Sequence, residues 1–272
     1  MNSALNLLKQ KVRPARRYLR HALREGGVCP HTNIYHCTTQ KTASQWIVGI
    51  FDSLHSRTDL DTYACDDTPE TMSGYHFTKP FPRWSFVTNL YIPFETYRAI
   101  PKRGSYRTFY ILRDPRDIVV SWYFSTLYSH PLIGDIAFRR AELSRRSQQE
   151  GLIYGITHLD EYGVFSAQRG WIDQSDDSNV KIFRYEELAG NEQQFLRALL
   201  QHCNISVTQE EIQSLVKAKG FEAAAGRKRG DENTKQHLRK GIAGDWHNYF
   251  DEACLETFAR VTGDLVPRLG YK

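Results

Sequence analysis

No apolar run in this 272-residue chain approaches the roughly 20 residues that a bilayer-spanning helix needs, and no secretory signal pattern opens it. A membrane-embedded protein is therefore not expected. Cysteine is scarce, odd in number and scattered, with five thiols at Cys29, Cys37, Cys65, Cys203 and Cys254. That argues against an extracellular scaffold stapled by disulfides and for reduced thiols in the cytoplasm. The paired short Cys/His loops of a structural zinc site are missing too. Cys29, His31, His36 and Cys37 do crowd together, but a strand through Ile34–Cys37 sends His36 and Cys37 to opposite faces, so no metal is expected. Acidic residues are nearly absent from residues 1–25, where Glu25 alone faces seven cations (Lys9, Lys11, Arg13, Arg16, Arg17, Arg20 and Arg24). The whole chain carries only +5, so the body is close to neutral and nucleic acid is not an expected partner of the fold. Residues 1–28 read as a basic amphipathic arm, with Leu7, Leu8, Val12, Leu19 and Leu23 at helical spacing around Pro14. Such an arm can pack on the domain formed by 29–272, touch a membrane surface peripherally, or act as a targeting segment.

What is present points to an α/β architecture. Three β-rich runs, Asn33–Cys37, Thr108–Leu112 and Val180–Phe183, are each followed by polar residues and a helical pattern, starting near Ser44, near Pro115 and through Phe195–Leu200. Strands alternating with helices predict one domain with a central parallel sheet flanked by helices, and ligands at the carboxyl ends of its strands. Two stretches, 53–105 and 226–249, read as long irregular loops, the first rich in aromatics and proline, the second in Gly, Arg and Lys.

The predicted strand ends carry anion chemistry. After the first strand, Thr38–Trp46 joins a small-polar turn to a helix start, so backbone N–H groups, the hydroxyls of Thr42 and Ser44 and the ammonium of Lys41 converge in an anion cradle. It lacks the glycines of a Walker A loop, which argues against a P-loop kinase. After the second strand, Arg113-Asp-Pro-Arg-Asp117 opens a helix with Asp114 as cap and Pro115 in the first turn. Arg113 then leaves the strand end and Ser121 lies about a turn beyond Asp117, a guanidinium and a hydroxyl able to grip one phosphate. The third motif, Arg239-Lys-Gly-Ile-Ala-Gly-Asp-Trp-His-Asn-Tyr-Phe250, combines two cations with glycines that let amides approach an anion, while Asp245 and Trp246 can lock the loop.

In chain order these three motifs resemble those of the soluble, small-molecule sulfotransferases that use 3′-phosphoadenosine-5′-phosphosulfate (PAPS). The first is similar to the 5′-phosphosulfate loop P-K-S-G-T-T-W, a P-loop-like element, with Gln40, Ala43 and Gln45 at the proline, glycine and second threonine. The second resembles the 3′-phosphate motif, with its arginine and serine at Arg113 and Ser121. The third resembles R-K-G-x-x-G-D-W-K-N-x-F at nearly every position. The resemblance implies a single α/β domain with about five parallel strands. It implies PAPS as cofactor, 3′,5′-adenosine bisphosphate (PAP) as product, and no metal. Cofactor contacts would come from Lys41, Thr42, Ala43, Ser44, Gln45, Trp46, Arg113, Ser121, Arg239, Lys240 and Gly241, with Tyr185 and Phe221 near the adenine.

Sulfuryl transfer by in-line displacement needs positioning and charge, and Lys41 is the residue to neutralise the leaving phosphate. The resemblance departs at the base. Asn89 stands where a K-T-H-L-P-like segment supplies histidine, and asparagine accepts no proton near neutral pH. His36, His76 and Tyr91 are the nearest candidates by sequence for a catalytic role. The alternatives are an acceptor acidic enough, or already charged, to need little help, and a PAPS-binding pseudoenzyme or scaffold. The aromatics of residues 75–97 (Tyr75, Phe77, Phe81, Trp84, Phe86, Tyr91, Phe94, Tyr97) would line a pocket for an aromatic or lipid-like acceptor, or fill a core beneath a long loop. Oligomeric state stays open.

Overall fold

The run Asn-Ile-Tyr-His-Cys-Thr is buried along its whole length, which requires cover on both faces, and the fold supplies it. The computed structural model describes residues 29–65, 69–173 and 177–272. Five strands, β1 (Asn33–Thr38), β2 (Asp61–Ala64), β3 (Ser85–Leu90), β4 (Tyr106–Leu112) and β5 (Val180–Arg184), form one sheet in the order β2-β3-β1-β4-β5. Every pairing is parallel. The predicted arm, residues 1–28, lies outside the described residues.

The principal helices are α1 (Ser44–Ser53), α2 (Pro115–Phe124), α3 (Gln148–Tyr162), α4 (Val164–Asp173), α5 (Glu192–His202), α6 (Gln209–Lys219) and α7 (Glu252–Thr262). Strand alternation divides the core in two. Tyr35, Cys37, Val87, Tyr110 and Leu112 join α2, α3, α4 and α7 on one face. Ile34, Phe86, Phe109, Ile111 and Phe183 join α1, α5 and α6 on the other. The helix starts follow their local sequence. Asp114 caps α2 by accepting from the Arg116 N–H, with Pro115 in its first turn. Ser147 and Glu150 form a capping box at α3, as do Thr208 and Glu211 at α6.

Residues 53–105 depart from the irregular loop expected of them, because β2 and β3 lie inside that stretch. Four of its aromatics, Tyr75, Phe86, Phe94 and Tyr97, are buried in the core rather than lining an open pocket. Tyr97 shares a 2.7 Å hydrogen bond with Thr108, and Phe86 stacks on Phe51 at 3.8 Å between ring centroids. Phe77, Phe81 and Tyr91 are partly buried against the same core.

Candidate active site

β1 lies beside both β3 and β4, and the chain leaves β1 towards one edge of the sheet and β4 towards the other. That makes the carboxyl edge between β1 and β4 the topological switch point, where open α/β sheets bind ligands. The structure brings Lys41 and Arg113 together there.

The loop after β1 holds two non-glycine residues in the left-handed region, Lys41 at φ 66° and Ala43 at φ 67°. Ala43 is the N-cap of α1 and provides no side-chain cap. No described group accepts a hydrogen bond from the backbone N–H of residues 41–45. Free amides at a helix start are an anion site. The Lys41 carbonyl accepts a 2.7 Å hydrogen bond from Arg113 Nη1, which fixes the turn. Thr42 is turned inward, donating to the Thr39 carbonyl at 2.9 Å, so only its amide faces the cradle. Trp46 Nε1 is buried without a partner and meets Phe195 edge-on, while Ser44 Oγ is buried beside the Tyr91 hydroxyl. Gln45 is exposed.

Arg113 is 6% exposed, and its Nε has no hydrogen-bond partner. The Tyr185 ring lies beneath the guanidinium at 4.1 Å, and the Asp117 carboxylate stands 3.9 Å away. Tyr185 is thus the platform that orients Arg113. Ser121 is half-buried one turn beyond Asp117, and its hydroxyl makes no hydrogen bond among the described residues.

Asp117 has a second task that its sequence position did not reveal. Its two carboxylate oxygens accept from the Gly244 and Trp246 amides at 2.7 and 2.9 Å, pinning the third motif onto the second. Within that motif Asp245 binds Arg239, Lys240 (2.7 Å) and Asn248 (2.8 Å). Burial opposes its ionisation, yet Lys240, Asn248 and Arg239 together hold the carboxyl below the ordinary range. Gly241, at φ 72°, lies so close to Phe221 that a Cβ would meet the ring at 2.5 Å. The glycine is there for that approach.

Lys41 is the unusual charge. Burial, with Arg113 and Arg239 close by, depresses its pKa from 10.5 to about 7. No carboxylate pairs with it among the described residues. An ammonium whose neighbouring charges are cationic and which has no described carboxylate partner suits an anion.

The residues around the missing histidine separate clearly. β3 carries one extra residue opposite β1 between Val87 and Leu90, and Asn89 sits in this bulge at φ 58°. Its Oδ1 is buried with no partner. His36 is wholly buried, stacked with Phe109 at 4.9 Å, and bonds Thr88 Oγ1 at 2.8 Å. Burial lowers its pKa to about 3, and it belongs to the core. Cys37 lies in the opposite core layer. His76 is exposed on the loop before β3. Tyr91 lies by Ser44, and burial raises its phenol, with Ser44 pulling the other way, so it holds its proton at neutral pH.

One histidine escaped the sequence reading. His237, two residues before Arg239, has its pKa lowered to about 4, first by the Lys41 charge, then by burial, then by His130. Its place immediately upstream of the third motif was the available signal. Among the described residues no cluster of His, Cys, Asp or Glu could hold a metal ion, and no helix is long and apolar enough to cross a membrane.

An open parallel sheet whose carboxyl edge gathers uncapped amides, Lys41 and Arg113 has the chemistry of an anion site. The model of the sulfotransferase domain matches residues 32–270. Sulfotransferase 2A1 of Macaca fascicularis is 23% identical over 241 residues, 82% of this chain and 80% of that protein. The 3-beta-hydroxysteroid sulfotransferase of Cavia porcellus is 23% identical over 239 residues, with the same coverage of 82% and 80%. Mouse sulfotransferase SULT7A1, solved in complex with PAP, shares the fold with a TM-score of 0.57 at 17% identity, over 86% of this chain and 84% of that one. Retinol dehydratase, solved with androsterone and PAP, gives 0.54 at 15% identity over 92% and 85%. The chain belongs to the family of PAPS-dependent sulfotransferases.

Proposed function

We propose that this chain moves the sulfuryl group of PAPS to a hydroxyl or amine of a small apolar acceptor, by in-line transfer assisted by Lys41. The observation that carries the reading is the Lys41 loop itself, whose carbonyl is held by Arg113 at 2.7 Å, whose amides find no described acceptor and whose ammonium has no carboxylate partner among the described residues. The donor set fits the nucleotide. Free amides of residues 41–45, with Lys41 and Ser44, suit the 5′-phosphosulfate. Arg113, with an unpartnered Nε, and Ser121 suit the 3′-phosphate. Trp46 and Phe221 are the rings available to the base, Tyr185 acts through Arg113, and Arg239, Lys240 and Gly241 close over the nucleotide. PAPS supplies the activated sulfur–oxygen bond. The chain's own part is to align the two substrates and to set the Lys41 charge where negative charge grows on the departing phosphate.

A small apolar acceptor draws support from the hydroxysteroid named for one relative and from the androsterone held by a structural neighbour. Tyr128, Leu132, Ile133 and Phe138, exposed on the segment after α2, add apolar surface of the right kind. The test supplies PAPS and a panel of hydroxysteroids and phenols to the wild-type protein and Lys41→Met, and follows PAP release. Transfer by the wild type that is lost in Lys41→Met supports the reading. Tight PAP binding without transfer to any acceptor favours the scaffold reading, for which the observation is Asn89 at the position of the usual base.

A further inference from the structure

We propose that Glu186 is a positioning residue of the nucleotide site, holding Arg113 in place for the 3′-phosphate and itself held by Tyr271. The inference rests on the sulfotransferase reading above, with Arg113 as the ligand of the 3′-phosphate.

A guanidinium grips phosphate best when its fork is already aimed, because a free arginine side chain gives up rotamer freedom on binding. The Arg113 side chain is aimed by the Lys41 carbonyl and the Tyr185 ring. Its backbone is aimed as well. The peptide joining Arg113 to Asp114 is a rigid plane with one acceptor and one donor, and side chains from two other segments take both. Gln168 Nε2, fully buried on α4, donates to the Arg113 carbonyl at 2.7 Å. Glu186 Oε1 accepts from the Asp114 N–H at 2.9 Å. This plane lies where β4 gives way to α2, so its orientation sets the direction in which Arg113 leaves the strand.

Glu186 directly follows Tyr185, in the short helix Tyr185–Gly190 beyond β5. One dipeptide therefore acts on Arg113 twice, with a ring beneath the guanidinium and a carboxylate on the peptide. A carboxylate on a long side chain needs an anchor of its own, and Glu186 finds it in residues 265–272. The Tyr271 hydroxyl donates to Glu186 Oε2 at 3.0 Å. Both carboxylate oxygens are thus spent on the protein, and Glu186 acts through Arg113 rather than on the nucleotide.

Tyr271 is held in turn. The Arg184 guanidinium lies over its ring at 4.9 Å, and Arg184 Nη2 donates to the Leu269 carbonyl at 2.6 Å. The Lys272 carbonyl accepts from Arg116 Nη2 at 2.7 Å. Arg116 makes a two-point pair with Asp114, at 3.0 and 2.6 Å, and lies over the Trp246 ring at 3.8 Å. The circuit runs from Asp114 through Glu186, Tyr271, Lys272 and Arg116 back to Asp114. Through Trp246 it also joins the second motif to the third.

Calorimetric titration of the whole chain tests this, with PAP and with adenosine 5′-monophosphate, which lacks the 3′-phosphate. Tyr271→Phe removes one hydroxyl, and Glu186→Ala removes the acceptor of the Asp114 amide. PAP should bind about threefold more weakly to the first and about tenfold more weakly to the second, while the monophosphate binds both as it binds the wild type. Glu186→Gln keeps an oxygen for that amide and should recover most of the affinity. In an Arg113→Ala background, Tyr271→Phe should cost nothing further, because both losses pass through the same side chain. Should Glu186→Ala not fold, Tyr271→Phe carries the test alone. Unchanged PAP affinity in Tyr271→Phe, equal weakening of both nucleotides, additive losses in the double variant, or Glu186→Gln as weak as Glu186→Ala overturns the positioning role and leaves the transferase reading intact. A folded wild type that binds neither nucleotide overturns the nucleotide reading itself, and the role of Glu186 with it.

Discussion

Replacing Arg113 by alanine is the sharpest test of the nucleotide site, because the structure says how much should be lost. The guanidinium is buried, rests on the Tyr185 ring and spends one nitrogen on the Lys41 carbonyl at 2.7 Å. Its Nε is unpartnered, and Nη2 has only the Asp117 carboxylate at 3.9 Å, too long for a hydrogen bond. Two donors are therefore available to a phosphate. Charge-assisted hydrogen bonds contribute about 1.5–3 kcal/mol each, so Arg113→Ala should cost about 3–6 kcal/mol of PAP binding. At about 1.4 kcal/mol per decade, that weakens the dissociation constant by about 10²–10⁴-fold in a calorimetric titration. Arg113→Lys keeps the charge but not the planar fork and should fall between, at about tenfold. Adenosine 5′-monophosphate, which lacks the 3′-phosphate, should bind the wild type and Arg113→Ala almost alike. Folded Arg113→Ala with unchanged affinity for PAP would refute the assignment of this arginine to the 3′-phosphate.

Other consequences are equally specific. Asp117→Ala leaves the Gly244 and Trp246 amides without their acceptor and should destabilise the protein by about 2–4 kcal/mol, with faster hydrogen exchange at those two amides than elsewhere. Ala43→Gly relieves a left-handed alanine at φ 67° but frees the unfolded chain, for a net gain of about 0.5–1 kcal/mol, read as a rise of about 1–4 °C in Tm; a lower Tm would contradict the strain. Lys41 gives a pH signature. Its pKa in the folded protein, about 7 against 10.5, means that the unfolded chain holds more protons between those values, so stability without nucleotide should climb as pH rises through that window. At pH 8 PAP binding should take up about one proton, measured by calorimetry in buffers of different ionisation enthalpy, and Lys41→Met should abolish the uptake.

The sequence disclosed most where chemistry needs a particular residue at a particular spacing. Arg113 and Ser121, the Lys41 loop and the Arg239–Phe250 loop all stood out in the sequence, and the structure sets Arg113 against the Lys41 loop and the Arg239–Phe250 loop against Asp117. The helix starts at Ser44 and Pro115 fell where expected. β3 was missed because a strand buried on both faces shows no alternation, and Ser-Phe-Val-Thr-Asn-Leu lies among prolines and aromatics that suggest a loop. β2 was missed for the opposite reason, as a short and largely exposed edge strand. Long-range pairing was invisible as well. Asp117 lies in the first turn of its own helix, and nothing in that position shows that its carboxylate holds a loop 127 residues away in the chain. His36 looked like a candidate base, and only the sheet register reveals that Phe86 and Phe109 enclose it.

The change at Asn89 follows from the backbone as much as from chemistry. The bulge in β3 demands a left-handed residue at that point, and asparagine, aspartate and histidine are the non-glycine residues that adopt it most readily. Histidine and asparagine are therefore interchangeable for the fold while differing completely as bases. Loss of the base there leaves the strand, the Lys41 loop and the phosphate cations undisturbed. It also leaves the amide oxygen of Asn89 buried without a partner, able to accept from an acceptor's O–H or N–H but unable to keep the proton.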